Sequence, residues 1–169
     1  MKTHPFTHTV RAAALCLAGL ASAPAWPLDA GAAAPELALP GLKDTVNLAA
    51  LKGKVVYVDF WASWCGPCKK TFPFMNELQA KYRAQGFEVL AVNLDAKRDD
   101  ADKFLAEVPA QFTVAFDAKG DSAKRFEVKG MPSSYLIGRD GRVIAAHKGY
   151  KEEDRQELEA HIASAVVAK

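Results

Sequence analysis

Val58-Asp59-Phe60-Trp61-Ala62-Ser63-Trp64-Cys65-Gly66-Pro67-Cys68 decides how the rest of the chain is read. It continues a hydrophobic run that begins at Val55-Val56-Tyr57, passes two tryptophans and delivers a pair of cysteines separated by Gly-Pro. After Cys68, Lys69-Lys70-Thr71-Phe72 opens an amphipathic segment with Phe72, Met75, Leu78 and Tyr82 at helical spacing. The cysteines therefore fall where a buried strand turns into a helix, with Cys65 at the helix N-terminus. Unpaired N–H groups and the helix dipole favour a thiolate there over a thiol. A thiolate attacks disulfides, and the second thiol can close a disulfide with the first and release whatever the first has captured.

Working outward, Pro73 is expected to kink the helix in its second turn and Gly86 to stop it. Phe87 to Leu94, with Val89-Leu90-Ala91-Val92 at its centre, reads as a central strand of a parallel sheet. Upstream, residues 36–39 and 45–48 read as two short strands around Pro40-Gly41, and residues 26–35, rich in Ala, Gly and Pro, as a mobile lead-in. Downstream come a helix over 98–107 closed by Pro109, a strand over 112–116 and a short helix over 122–126. A hairpin of 134–137 with 142–147 turns at Arg139-Asp140-Gly141, and a helix over 152–167 places Leu158, Ile162, Ala165 and Val166 on one face. This order predicts an α/β domain over residues 36–169, a mixed sheet with helices on both faces.

Half of the 169 residues are apolar, enough for one domain with a sizeable core. The net charge of +2 comes from Lys2 and Arg11 alone, and the remaining chain is balanced, so neither nucleic acid nor an anionic membrane is expected as partner. Residues 1–25 read as a secretory signal peptide: Lys2 and Arg11, an apolar run Ala12–Leu20, then Ala21-Ser22-Ala23-Pro24-Ala25, with cleavage expected after Ala25. The alternative, a retained membrane anchor, would need an apolar run of ~20 residues, and this one is much shorter. The expected address is the periplasm. Cys16 leaves with the signal, so the mature chain keeps two cysteines, too few for a structural framework and suited to catalysis. No cofactor is expected beyond the Cys65–Cys68 disulfide itself.

Asp59 interrupts the apolar run, and an unpaired buried carboxylate is costly. From the residues alone, a solvated charge at a strand edge and a buried functional acid are both open. Trp61 is assigned to the core and Trp64 to a partly exposed position beside Cys65.

Residues 58–69 (VDFWASWCGPCK), 126–137 (FEVKGMPSSYLI) and 138–143 (GRDGRV) closely resemble the thioredoxin superfamily, and the resemblance runs from about Glu36 to the C-terminus. The front hairpin and the helix–strand piece between Arg98 and Phe116 resemble its secreted branch, the TlpA/ResA-type thiol–disulfide oxidoreductases. The resemblance implies a thioredoxin-like fold with an N-terminal β-hairpin and a helix–strand insertion. It also implies that Met131-Pro132 is a cis-proline loop packed against the cysteines, with the Met131 backbone pairing with substrate. By the same resemblance Asp59 is a buried acid that exchanges a proton with Cys68. The lysine that accompanies this acid in thioredoxin is replaced here by Ala91. Trp64, Gly66 and Pro67 would face substrate, and Gly-Pro is the dipeptide of reducing thioredoxins.

The function so implied is a reductase of protein disulfides, acting on protein thiol and disulfide substrates such as apocytochrome c or copper-site cysteines of respiratory oxidases. It would be re-reduced by a membrane donor of the DsbD or CcdA type and act as a monomer. Two alternatives stand beside it. A DsbA-like dithiol oxidant would usually carry a histidine between its cysteines. A copper or zinc chaperone would use Cys65 and Cys68 as soft ligands, but zinc would want two more, and His147 and His161 are isolated in sequence. No metal ligand set is assigned.

Overall fold

The computed structural model of the protein describes Met1 and residues 28–168. All of the proposed signal segment except Met1 lies outside the described residues, and no described helix is long and apolar enough to cross a membrane. The sequence-predicted elements are present. A hairpin of β1 (Ala38–Pro40) and β2 (Thr45–Asn47) precedes β3 (Val55–Trp61), α1 (Gly66–Tyr82), β4 (Phe87–Asn93), α2 (Arg98–Glu107), β5 (Thr113–Phe116), α3 (Asp121–Arg125), β6 (Ser133–Ile137), β7 (Val143–Lys148) and α4 (Arg155–Val167). The main sheet has the order β5-β4-β3-β6-β7, parallel across β3, β4 and β5 and antiparallel across β3, β6 and β7. The fold is α/β and thioredoxin-like.

Side chains alternate across a strand, so β3 supplies two cores at once. Val55, Tyr57 and Trp61 join Phe72, Met75 and Leu78 of α1, Phe104 of α2 and Leu158 and Ile162 of α4. Val56, Val58 and Phe60 join Leu90 and Val92 of β4, Phe126, Tyr135 of β6 and Leu37 of the hairpin segment. One face is therefore covered by three helices, the other by α3 and the N-terminal hairpin. The hairpin also touches the outer edge of the sheet through a Gly41–Ala115 bridge.

Two local readings are refined. α1 runs on through Pro73 and ends in a turn of 3-10 helix before Gly86, whose φ of 79° is the left-handed stop glycine adopts without strain. Residues 31–34, read as part of a mobile lead-in, are pinned beside β7. Gly31 N–H donates to Val143 O, Val143 N–H to Ala32 O and Ala34 N–H to Gly141 O. The Ala/Gly/Pro composition signals a lack of regular structure, but here the backbone groups find partners on an open sheet edge. Where β5 is too short to cover the start of β4, the buried Gln79 carboxamide substitutes for a strand and accepts from Val89 N–H at 2.7 Å.

Candidate active site

The site stands at the C-terminal end of β3, the central strand at which the sheet order reverses, the usual location for sites in open α/β sheets. Residues 62–65 lead directly from β3 into α1, and Cys65 is the N-cap. Its Sγ accepts a hydrogen bond from Cys68 N–H at 3.3 Å, and the two sulfurs are joined in a disulfide. Pro67 sits in the first turn, where its missing N–H leaves no helical bond unmade. Gly66 and Pro67 are exposed, and Trp64 beside them is 72% exposed. Trp61 is fully buried against Phe72 and Phe104, with ring centroids 4.9 and 4.8 Å away.

Cys65 and Cys68 differ little in burial, 4% against 0% exposed. Any difference in thiol reactivity must then come mainly from the helix terminus, where Cys65 is the group that receives an N–H. The Met131–Pro132 peptide is cis. Met131 is half-buried and packs against the cluster containing both cysteines, while Pro132 is buried.

Asp59 lies in the middle of the central strand, 1% exposed, and its Oδ2 has no hydrogen-bond partner. A solvated position at a strand edge is thereby excluded. In register it lies opposite Ala91 on β4 and Ser134 on β6. It points to the α1 side of the sheet with Tyr57 and Trp61, the side on which Cys68 is buried. Burial holds its carboxyl well above the ordinary carboxylate range. Tyr57 shares that interior. Its hydroxyl donates to Ser134 Oγ at 2.7 Å, and burial first, then the neighbouring Asp59 charge, push its ionisation far upward.

The structure adds residues that sequence reasoning passed over. Asp95, just beyond β4, accepts from Ser63 N–H and Ser63 Oγ, each at 2.9 Å, and from Asn93 Nδ2 at 2.7 Å. This buried carboxylate ties the loop that carries Trp64 and Cys65 to the neighbouring strand. The available signal was a polar Asn-Leu-Asp directly after an apolar strand, at the end of the sheet where the cysteines lie. His147 and His161, isolated in sequence, stack with ring centroids 5.6 Å apart. Among the described residues, no group of three or more His, Cys, Asp or Glu side chains is placed to hold one metal ion.

The redoxin family pattern matches residues 29–162, nearly the whole described chain. The chain belongs to the redoxin family. It is 35% identical over 136 residues to the thiol-disulfide oxidoreductase ResA of Bacillus thuringiensis subsp. konkukian, covering 80% of this chain and 78% of that one. With ResA of Oceanobacillus iheyensis the identity is 36% over 132 residues, 75% and 69% of the two chains. A crystal structure from Chlorobium tepidum carrying the name thiol:disulfide interchange protein DsbE superposes with a TM-score of 0.81 at 57% identity, over 82% of this chain and 99% of that one. This redoxin is a thiol–disulfide oxidoreductase of the ResA/DsbE type whose redox pair is Cys65–Cys68.

Proposed function

We propose that this redoxin works in the reducing direction, outside the cytoplasm, on disulfides of protein substrates. The observation that carries this reading is the Cys65–Cys68 pair at the head of α1, with only Gly66-Pro67 between the sulfurs. That dipeptide offers the Cys65 thiolate no cation. The helix terminus alone stabilises it, so the dithiol form is a stronger reductant than one with an added positive charge.

In the forward reaction the Cys65 thiolate attacks one sulfur of the substrate disulfide, and the other leaves as a thiolate. Cys68 then gives its proton to the Asp59 carboxylate and attacks Cys65 Sγ. The second substrate sulfur leaves, and the enzyme holds the Cys65–Cys68 disulfide. Two electrons pass from the dithiol to the substrate. Trp64, Gly66 and Pro67 form the exposed rim on which substrate would lie, with Met131 offering its backbone and Pro132 holding that loop. The secretory character of residues 1–25 supports an extracytoplasmic site, where re-reduction needs a membrane donor of the DsbD or CcdA type. Apocytochrome c thiols and respiratory metal-site cysteines are the substrates this placement suggests.

Equilibration with glutathione buffers, followed by tryptophan fluorescence, tests the direction. The reading expects a potential nearer thioredoxin's ~−270 mV than DsbA's ~−120 mV. A value at the DsbA end would make the protein an oxidant.

A further inference from the structure

The parallel pairing of β3 and β4 ends at Trp61 opposite Asn93, with Leu94 N–H donating to Trp61 O at 2.9 Å. Two residues further on, Ser63 is held by a side chain instead of a strand. Asp95 Oδ2 accepts from Ser63 N–H and Asp95 Oδ1 from Ser63 Oγ, each at 2.9 Å. Asp95 is itself fixed: Asn93 Nδ2 donates to its Oδ2 at 2.7 Å, and Asp95 N–H donates to Asn93 Oδ1 at 3.1 Å. Both residues are buried, and Asn93 belongs to the central sheet, where its carbonyl accepts from Asp117 N–H. Among the described residues, the Ser63 bonds are the only hydrogen bonds of residues 62–65 that reach beyond that segment and α1.

We infer that Asp95, through Ser63, is a positioning residue that holds Cys65 in place for ring closure with Cys68 and so favours the disulfide form. Cys68 lies inside α1 and is fully buried. Cys65 only caps that helix, and its neighbours Trp64, Gly66 and Pro67 are exposed. In the disulfide form the S–S bond itself ties residues 62–65 to the helix. In the dithiol, and in a mixed disulfide with substrate, that tie is gone and the Ser63–Asp95 bonds remain. Ser63 and Cys65 are two residues apart, at most ~7 Å of chain, so a fixed Ser63 leaves Cys65 Sγ little room to move away from Cys68. Holding two reacting groups together raises their effective concentration, which speeds ring closure and favours its product. In that step the Cys68 thiolate attacks Cys65 Sγ, the new S–S bond forms and the substrate thiolate leaves. Asp95 moves neither proton nor electron.

The hydrogen bonding of the two buried acids fits this division of labour. Asp59 keeps an oxygen without a partner, as a group that takes up a proton must. Asp95 meets three donors with its two oxygens, the pattern of a carboxylate fixed where it stands. The inference holds whichever way electrons flow, so it stands apart from the reducing assignment. The wild-type potential tests the direction, and the shift between variants tests Asp95.

Wild type, Asp95→Asn and Ser63→Ala are equilibrated with glutathione buffers at neutral pH. The reduced proteins are also mixed with dithiobis(nitrobenzoate) in stopped flow, where the first thionitrobenzoate reports Cys65 attack and the second reports ring closure by Cys68. Asp95→Asn should lower the constant for disulfide formation about three- to tenfold, a potential ~15–30 mV less negative. The effect is smaller than the full worth of two hydrogen bonds, because both redox forms lose them. The second release should slow by a similar factor while the first stays near wild type. Ser63→Ala, which loses one of the two bonds, should shift less and with the same sign, and Ser63→Thr should restore the wild-type potential. In urea the oxidised form of each shifted variant should lose more stability than the reduced form. An unchanged or more negative potential in both variants makes the pair an ordinary structural tie and overturns the inference. A shift in Asp95→Asn that a lowered Cys65 alkylation pKa accounts for in full, with Ser63→Ala unmoved, also overturns it, since charge rather than position is then the cause.

Discussion

On one face of the central sheet, Val56, Val58 and Phe60 of β3 meet Leu90, Val92, Phe126 and Tyr135, and the hydroxyls of Tyr135 and Ser133 there are bonded to Phe126 O and Gly130 O. On the other face, Tyr57 and Asp59 of β3, Ser134 of β6 and His147 of β7 bring polar groups inside, two of them with unpartnered atoms. Residues one position apart in β3 thus serve opposite ends. The hairpin face contributes stability through area and shape, with its buried hydroxyls bonded. The α1 face gives up some of it, since a buried carboxylate without a partner destabilises the fold, and in return places, on the proposed reading of Asp59, a proton acceptor on the side of the sheet where Cys68 is buried.

The largest effect that would sharpen this contrast is on the hairpin face. Phe60 is fully buried, with ring centroids 5.2 Å from Phe126 and 6.1 Å from Tyr135. Phe60→Ala should cost about 3–5 kcal/mol in urea unfolding, while the folded fraction keeps its thiol chemistry. Loss of resolution rate in fully folded protein would show that the faces are not separable.

Asp59→Asn should do the reverse. Its carboxyl holds its proton to a higher pH folded than unfolded. The native state is therefore favoured below the unfolded pKa of ~3.9, and that advantage is lost as pH rises through the folded value. The asparagine variant should lack this fall and be more stable than wild type at neutral pH, with slower resolution. Urea midpoints at an acidic and a neutral pH would read it, and parallel pH dependence in the two proteins would break the comparison.

The smallest expected change lies on the rim. Trp64→Ala should shift stability by less than ~0.5 kcal/mol, because the ring is exposed, yet raise KM for a protein disulfide with little change in kcat. A stability loss of several kcal/mol would mean that the ring is part of the core.

The order of elements was legible because each has local signals: Asp140-Gly141 for the hairpin, Gly86 for the helix stop, helical spacing after Cys68. The cysteine pair was legible for the same reason. Whether Asp59 is buried was not, since that depends on β6 returning, with Ser134 75 residues later in the chain, to cover β3. The alignment of Ser134 with His147 was further still from view. It depends on hairpin register, which shifts at Leu136/Ile137, and a slip of one residue would turn His147 to the opposite face. The hydrogen bonds that pin residues 31–34 to β7 were equally non-local.

The central claim, that the α1 face holds a buried acid able to accept the Cys68 proton, is tested most directly by the ionisation of Asp59 itself. Carboxyl ¹³C shifts of aspartate-labelled reduced protein, assigned by comparison with Asp59→Asn, should give a midpoint well above the ordinary ~3.9. A midpoint at the ordinary value would make Asp59 a solvated charge and contradict the account.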